Sequence, residues 1–287
     1  MDSSKNFEIS AGPKLHYLES GSGSPLLLLP GWSQTAAMFH HQLEAFGGSH
    51  RVLTLDHRGH GESEKIDHGY RVPTLAIDLR HFILGLNLDQ ITLLGHSMGA
   101  AVIFSYFEQF GSDRIKGIIL DDQPAALTLD NEASNQVKQE AGVIFTLEQL
   151  TSICDALRGD GSMNATREML AGMLSERLIA ESMEWILTEN LMMPRKHAAT
   201  LLWDCALADW RKLIPQIDVP TLVIGGKASV VPWESQQWNH EQIDRSECKI
   251  LEAEQGGYHF AFLESPDRFN AIIGAFLATQ SSSNGCG

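Results

Sequence analysis

Ser97 lies at the centre of Gly95-His96-Ser97-Met98-Gly99, between the apolar run Ile91 to Leu94 and the helix-forming Ala100-Ala101. A strand, a Gly-x-Ser-x-Gly turn and a helix start together make a nucleophile elbow, in which a strained turn holds a serine hydroxyl at the mouth of a sheet. Side chains larger than hydrogen at Gly95 and Gly99 would collide with the neighbouring strand and helix. The chemistry this permits is attack on a carbonyl carbon. A serine hydroxyl is a poor nucleophile alone, so it needs a base and a carboxylate to orient that base. His259 follows Gly256-Gly257-Tyr258 just before a C-terminal helix-forming run, a placement that lets a loop reach the elbow. Leu120-Asp121-Asp122-Gln123-Pro124 ends another apolar strand, at the edge where open parallel sheets bind ligands. Asp122 is the preferred carboxylate and Asp121 the alternative. Two backbone N–H groups are needed to hold the oxyanion. Met98 supplies one. The loop Pro30-Gly31-Trp32-Ser33 supplies the other, with Trp32 N–H the natural donor, Gly31 allowing the sharp turn and Ser33 beside it. The Trp32 ring either walls the acyl pocket or packs in the core.

These groups need a frame. Phe7 to Ile9 and Leu15 to Leu18 read as short strands. Leu26 to Leu29, ending at Pro30-Gly31, reads as a buried strand. A helix is expected over Ala36 to Phe46, a strand over Arg51 to Leu55, a helix over 73–86, a strand over Ile91 to Leu94, a helix from Ser97 to Phe110 and a strand over Gly117 to Leu120. Such alternation implies parallel strands with right-handed crossovers. The pattern resumes with strands at Thr221 to Ile224 and Lys249 to Leu251 and a helix over Pro266 to Ala278. Residues 125–214 show no strand-like run and carry six of the nine methionines: Met163, Met169, Met173, Met183, Met192 and Met193. They read as a helical cap inserted into an α/β core of residues 1–124 and 215–280, with residues 281–287 as a disordered tail. Methionine adapts to irregular apolar surfaces, so several can line a pocket or fill a helical core. Trp185, Trp203, Trp210, Trp233 and Trp238 fall in or just after this segment, where they either stack on an aromatic or apolar ligand or pack.

Composition narrows the function. The 287 residues carry 21 basic and 36 acidic side chains, a net charge of −15, which disfavours nucleic acid and anionic membranes as partners. The expected partner is a small apolar or aromatic molecule, bound by a monomer or homodimer. Cys154, Cys205, Cys248 and Cys286 are scattered, without C-x-x-C spacing, so neither a disulfide framework nor a zinc site is expected. His40-His41 and His57-Arg58-Gly59-His60 lack H-E-x-x-H spacing, and no G-x-G-x-x-G follows the first buried strand. No cofactor is expected. The polar N-terminus has no apolar signal region and no run is long enough to span a membrane, so a cytoplasmic protein is the expectation.

Four ordered segments carry a family resemblance: Leu29-Pro30-Gly31-Trp32, Asp56-His57-Arg58-Gly59-His60-Gly61-Glu62-Ser63, Gly95-His96-Ser97-Met98-Gly99 and Gly257-Tyr258-His259-Phe260. The chain resembles α/β-hydrolase fold proteins. The resemblance implies a mostly parallel sheet flanked by helices, and a triad in the chain order Ser, acid, His. It spans nearly the whole sheet segment and leaves the helical insertion uncovered. Arg58-Gly59-His60-Gly61 matches a family signature taken here as structural. Two departures stand out. Pro30-Gly31 replaces the usual His-Gly, and Ala228 stands where the usual acid follows the strand Thr221 to Ile224. Both features resemble a subset whose acid sits at the end of the sixth strand, where Asp122-Gln123-Pro124 lies. The leading implication is a serine hydrolase acting on a small ester, lactone or related acyl group. The same opening and strand-six aspartate also resemble cofactor-free quinolone dioxygenases, in which a His–Asp pair is the base. Gln34 stands where those proteins carry a further histidine.

Overall fold

The computed structural model describes residues 3–282. Eight strands form one sheet: β1 (Ser3–Glu8), β2 (Lys14–Ser20), β3 (Pro25–Leu29), β4 (Arg51–Leu55), β5 (Ile91–His96), β6 (Ile115–Asp121), β7 (Thr221–Gly226) and β8 (Ser246–Leu251). Their order is β1-β2-β4-β3-β5-β6-β7-β8. β1 and β2 run antiparallel to their neighbours, and every pairing from β4 to β8 is parallel. Strands β3, β5 and β7 are buried almost throughout, because helices cover both faces, which is why they read as continuous apolar runs.

Helices α1 (His40–Phe46), α2 (Val72–Gly85) and α3 (Met98–Phe110) lie between the first six strands. The helix expected from Ala36 opens as a 3₁₀ turn, Ala36–Phe39, before α1. Between β6 and β7 come α4 (Asn135–Ala141), α5 (Leu147–Arg158), α6 (Ser162–Ala171), α7 (Glu176–Leu191) and α8 (Arg195–Ala206). The two ends of this insertion meet at one neck. Ala126 bridges Asp209 antiparallel, and Trp210 N–H donates to Ala125 O at 2.8 Å. The helices α9 (Trp233–Gln242), α10 (Ala261–Glu264) and α11 (Pro266–Ser282) complete the fold. The last helix continues through 281 and 282, so the tail expected from 281 does not start there; 283–287 lie outside the described residues. Among the described residues no helix is long and apolar enough to cross a membrane.

The register of β5 against β6 sets up the site. His96 pairs with Asp121, so the next residue of each strand, Ser97 and Asp122, emerges side by side at the C-terminal edge. Ser97 N–H donates to Asp121 O at 2.8 Å, and Asp122 N–H donates to Ile224 O at 2.9 Å, fastening both strand ends.

Candidate active site

Ser97 adopts φ +50° and ψ −125°, a conformation costly for a residue with a Cβ and held here by its surroundings. Its turn admits no bulk. A Cβ on Gly99 would stand 2.1 Å from Leu29 O, and one on Gly95 would stand 2.4 Å from Ala100 N. Those are the collisions with strand and helix that the sequence implied. Asp122 shares the left-handed region, at φ +53°.

The structure brings His259 to Asp122. His259 Nδ1–H donates to Asp122 Oδ2 at 2.6 Å, with the two side chains 5% and 1% exposed. That fixes the tautomer and leaves Nε2 for the cavity, which Ser97 and His259 both line. Asp121 does something else. Its Oδ2 accepts from His96 Nδ1–H at 2.9 Å, with both side chains fully buried. The backbone explains the split: Asp121 is the last residue of β6, paired with His96, while Asp122 turns out of the strand at positive φ and so points its carboxylate elsewhere. The His96 and His259 rings lie 4.7 Å apart, so a second His–Asp pair backs the first. Burial and the adjacent Asp122 push the Asp121 carboxyl well above the usual range. Burial and nearby His259 push His96 well below its own.

Reasoning from the sequence missed Ser229. Its hydroxyl donates to Asp122 Oδ2 at 2.5 Å and accepts from Val231 N–H at 3.1 Å. The loop that lacks an acid at Ala228 therefore still reaches the acid, one residue later. The same loop is tied to the histidine loop, since Ala228 N–H donates to Gly257 O at 2.8 Å. The available signal was a hydroxyl beside the vacated acid position.

The loop expected to supply an oxyanion donor runs from Pro30 to Ser33. Trp32 lines the cavity, and its indole N–H donates to Ala198 O at 2.7 Å on α8. Met98 lines it too, at the start of α3, where the first N–H groups have no acceptor within the helix. Gly31 and Ser33, expected beside the oxyanion donor, are not among the residues that line the cavity. Gly31 N–H is bound by Gln34 Oε1 at 3.0 Å, and Ser33 N–H by His60 Nε2 at 3.2 Å. Ser33 Oγ donates to Asn190 O at 2.7 Å and accepts from Arg195 Nη2–H at 2.6 Å. The two amides flanking Trp32 N–H are thus committed. Beneath them, His60 Nδ1–H donates to Arg58 O at 3.0 Å, and Arg58 forms a two-point pair with buried Asp78 at 2.6 Å on each arm. The Arg58 to Gly61 segment braces the loop.

The cavity is narrow and partly open to solvent. Met169, Met173, Phe145 and Leu202 wall it from the inserted segment, with Val230 and Val231 across from the Ser229 loop. Trp185, Trp203, Trp210, Trp233 and Trp238 do not line it. Trp185 meets His40, Trp210 meets Phe104 and Trp233 lies under Lys227.

Mostly parallel order, an elbow after β5 and a histidine after β8 define a class. The sequence profile described as alpha/beta hydrolase fold matches residues 24–146. The chain has the α/β-hydrolase fold. It is 27% identical to the AB hydrolase superfamily protein YisY of Bacillus subtilis, over 89% of this chain and 92% of that one. A bromoperoxidase from Bacillus anthracis superposes with a TM-score of 0.87 at 24% identity, covering 96% of this chain and 100% of that one. An esterase from Exiguobacterium antarcticum superposes with a TM-score of 0.86 at 22% identity, covering 96% and 100%. At these identities the two structures establish a shared fold, and the relatives together support a hydrolase.

Proposed function

We propose that this protein is a serine hydrolase that cleaves a small ester, lactone or related acyl substrate through an acyl-enzyme. The observation that carries the reading is the 2.6 Å bond from His259 to Asp122, made by a histidine that shares a cavity wall with Ser97. In this reading His259 Nε2 takes the proton of the Ser97 hydroxyl as Oγ attacks the carbonyl carbon. Asp122 keeps Nδ1 protonated and stabilises the imidazolium. The oxyanion is held by Met98 N–H and Trp32 N–H. Collapse breaks the bond to the leaving oxygen, which takes the proton from Nε2. In a lactone that oxygen stays attached to the acyl group. Water then attacks the acyl carbon, gives a proton to Nε2, and Ser97 leaves with that proton restored. The helices α4 to α8 act as the cap, closing the acyl side of the cavity.

The test is labelling by a fluorophosphonate together with the Ser97→Ala variant. Wild type is expected to be labelled at Ser97, and Ser97→Ala is expected to lose at least ~10³-fold in ester hydrolysis. An unlabelled Ser97, with hydroxyquinolone-dependent oxygen uptake that survives Ser97→Ala, would establish the dioxygenase chemistry instead.

A further inference from the structure

The charge character of the cavity goes further than its shape. Ser97, His259 and Trp32 line it, and much of the remaining lining comes from the inserted segment. Apart from His259, no side chain lining it among the described residues is ionisable as an acid or a base near neutral pH, because Cys205 is buried and pushed up to about 12. The polar groups are amides, Gln34, Gln123 and Asn190. The helices could have presented charge there but turn it outward. On α6, Met169 faces the cavity while Arg167 pairs with exposed Glu184 on α7. The half-buried guanidinium of Arg195, beside the Pro30 to Ser33 loop, is not free to grip an anion. Its donors go to Ser33 Oγ, Asn190 O, Met193 O and Thr166 Oγ1, and its plane lies over the Trp32 ring at 5.9 Å. A substrate carboxylate placed among Met169, Met173, Leu202 and Phe145 would lose its water and meet no cation, and an isolated buried charge is strongly disfavoured. The charge of Asp122 behind His259 and the net −15 of the chain act in the same direction.

We infer that this site, on the serine-hydrolase reading above, takes acyl groups that are uncharged along their whole length and rejects acyl groups bearing a carboxylate. The amides of Gln34 and Asn190 serve a neutral carbonyl, hydroxyl or amide on the substrate, and the methionines hold an apolar chain or ring. Dicarboxylic half-esters and keto-acid substrates are excluded by desolvation, not by size.

The test uses two alkyl fluorophosphonates of equal chain length, one ending in a carboxylate and the other in its methyl ester, with the rate of Ser97 modification followed by intact mass. The methyl ester is expected to react faster by more than the ~10²-fold that an apolar pocket achieves against an added hydroxyl. Met173→Arg, which offers the missing cation, is expected to narrow that gap at least tenfold. Equal rates for the two probes in wild type overturn this inference and leave the serine nucleophile standing. Failure of both probes to modify Ser97 removes the serine-hydrolase reading and this inference with it.

Discussion

Asp121 and Asp122 are adjacent and chemically identical, yet they have different partners. Asp122 receives His259 and Ser229; Asp121 receives His96 in a fully buried pair. Burial and the neighbouring Asp122 raise the Asp121 carboxyl, and its histidine partner is His96, which does not line the cavity, whereas the partner of Asp122 does. An amide at 122 can offer its N–H to His259 Nδ1 and so favour the wrong tautomer of the ring that lines the cavity, whereas an amide at 121 disturbs only the pair behind it. Asp122→Asn is therefore expected to lower kcat by about 10³–10⁴-fold, while Asp121→Asn costs less than about tenfold. Parallel kcat measurements on the two variants check this, and the reverse ranking would make Asp121 the acid. Ser229 touches Asp122 and is not among the residues lining the cavity, so any effect on the rate is expected through Asp122. Ser229→Ala is expected to lower kcat about tenfold with KM unchanged, and Ser229→Thr to restore most of it. A change confined to KM would assign Ser229 to substrate contact instead.

At the scale of elements, the braces under the oxyanion loop carry a pH dependence. Burial pushes His57 down to about 3 and His60 down to about 4, from 6.5. The unfolded chain takes up these protons near pH 6.5. Stability from the two neutral rings is thus complete above pH 6.5 and declines as pH falls to about 4 and then 3, since only the unfolded state binds the protons in that window. Protonation of His60 would also remove its acceptor for Ser33 N–H. Urea midpoints measured from pH 7 to 4 are expected to fall more steeply in wild type than in His60→Gln; equal slopes would refute the assignment. The elbow is a second rigid element. Gly99→Ala drives a Cβ into Leu29 O and is expected to cost about 1–3 kcal/mol or more in denaturant unfolding.

At the scale of the whole molecule, the sheet and the inserted helices are joined where the chemistry is proposed to occur. Trp32 bonds Ala198, Ser33 bonds Asn190, Thr35 bonds Glu189, and Arg195 ties Ser33 to the carbonyls of Asn190 and Met193. Arg195 is half-buried without a carboxylate partner among these bonds, and desolvation draws it down to about 10. A lysine reproduces the charge but not the planar fork. Arg195→Lys is expected to destabilise the protein by about 1–3 kcal/mol and to speed amide exchange in residues 31–35. Unchanged exchange there would show that the joint does not hold the oxyanion loop.

Much of this was legible in the sequence because it is local. The Gly-x-Ser-x-Gly turn, the apolar strand runs and the paired glycines before His259 each encode a backbone requirement within a few residues. They gave the fold, Ser97, His259 and the short list of two acids. The choice between Asp121 and Asp122 depended on the register of β5 against β6, which couples residues far apart in the chain. Ser229 and Arg195 carry no motif, so only three-dimensional contact connects them to Asp122 and Ser33. The fate of the tryptophans and of Gly31 and Ser33 was likewise a matter of which way each side chain or amide faced. Sequence determined which residues could do chemistry, because strand, turn and helix propensities act locally. Tertiary structure decided which carboxylate meets the histidine and which side chains face the cavity, because those depend on packing between distant segments.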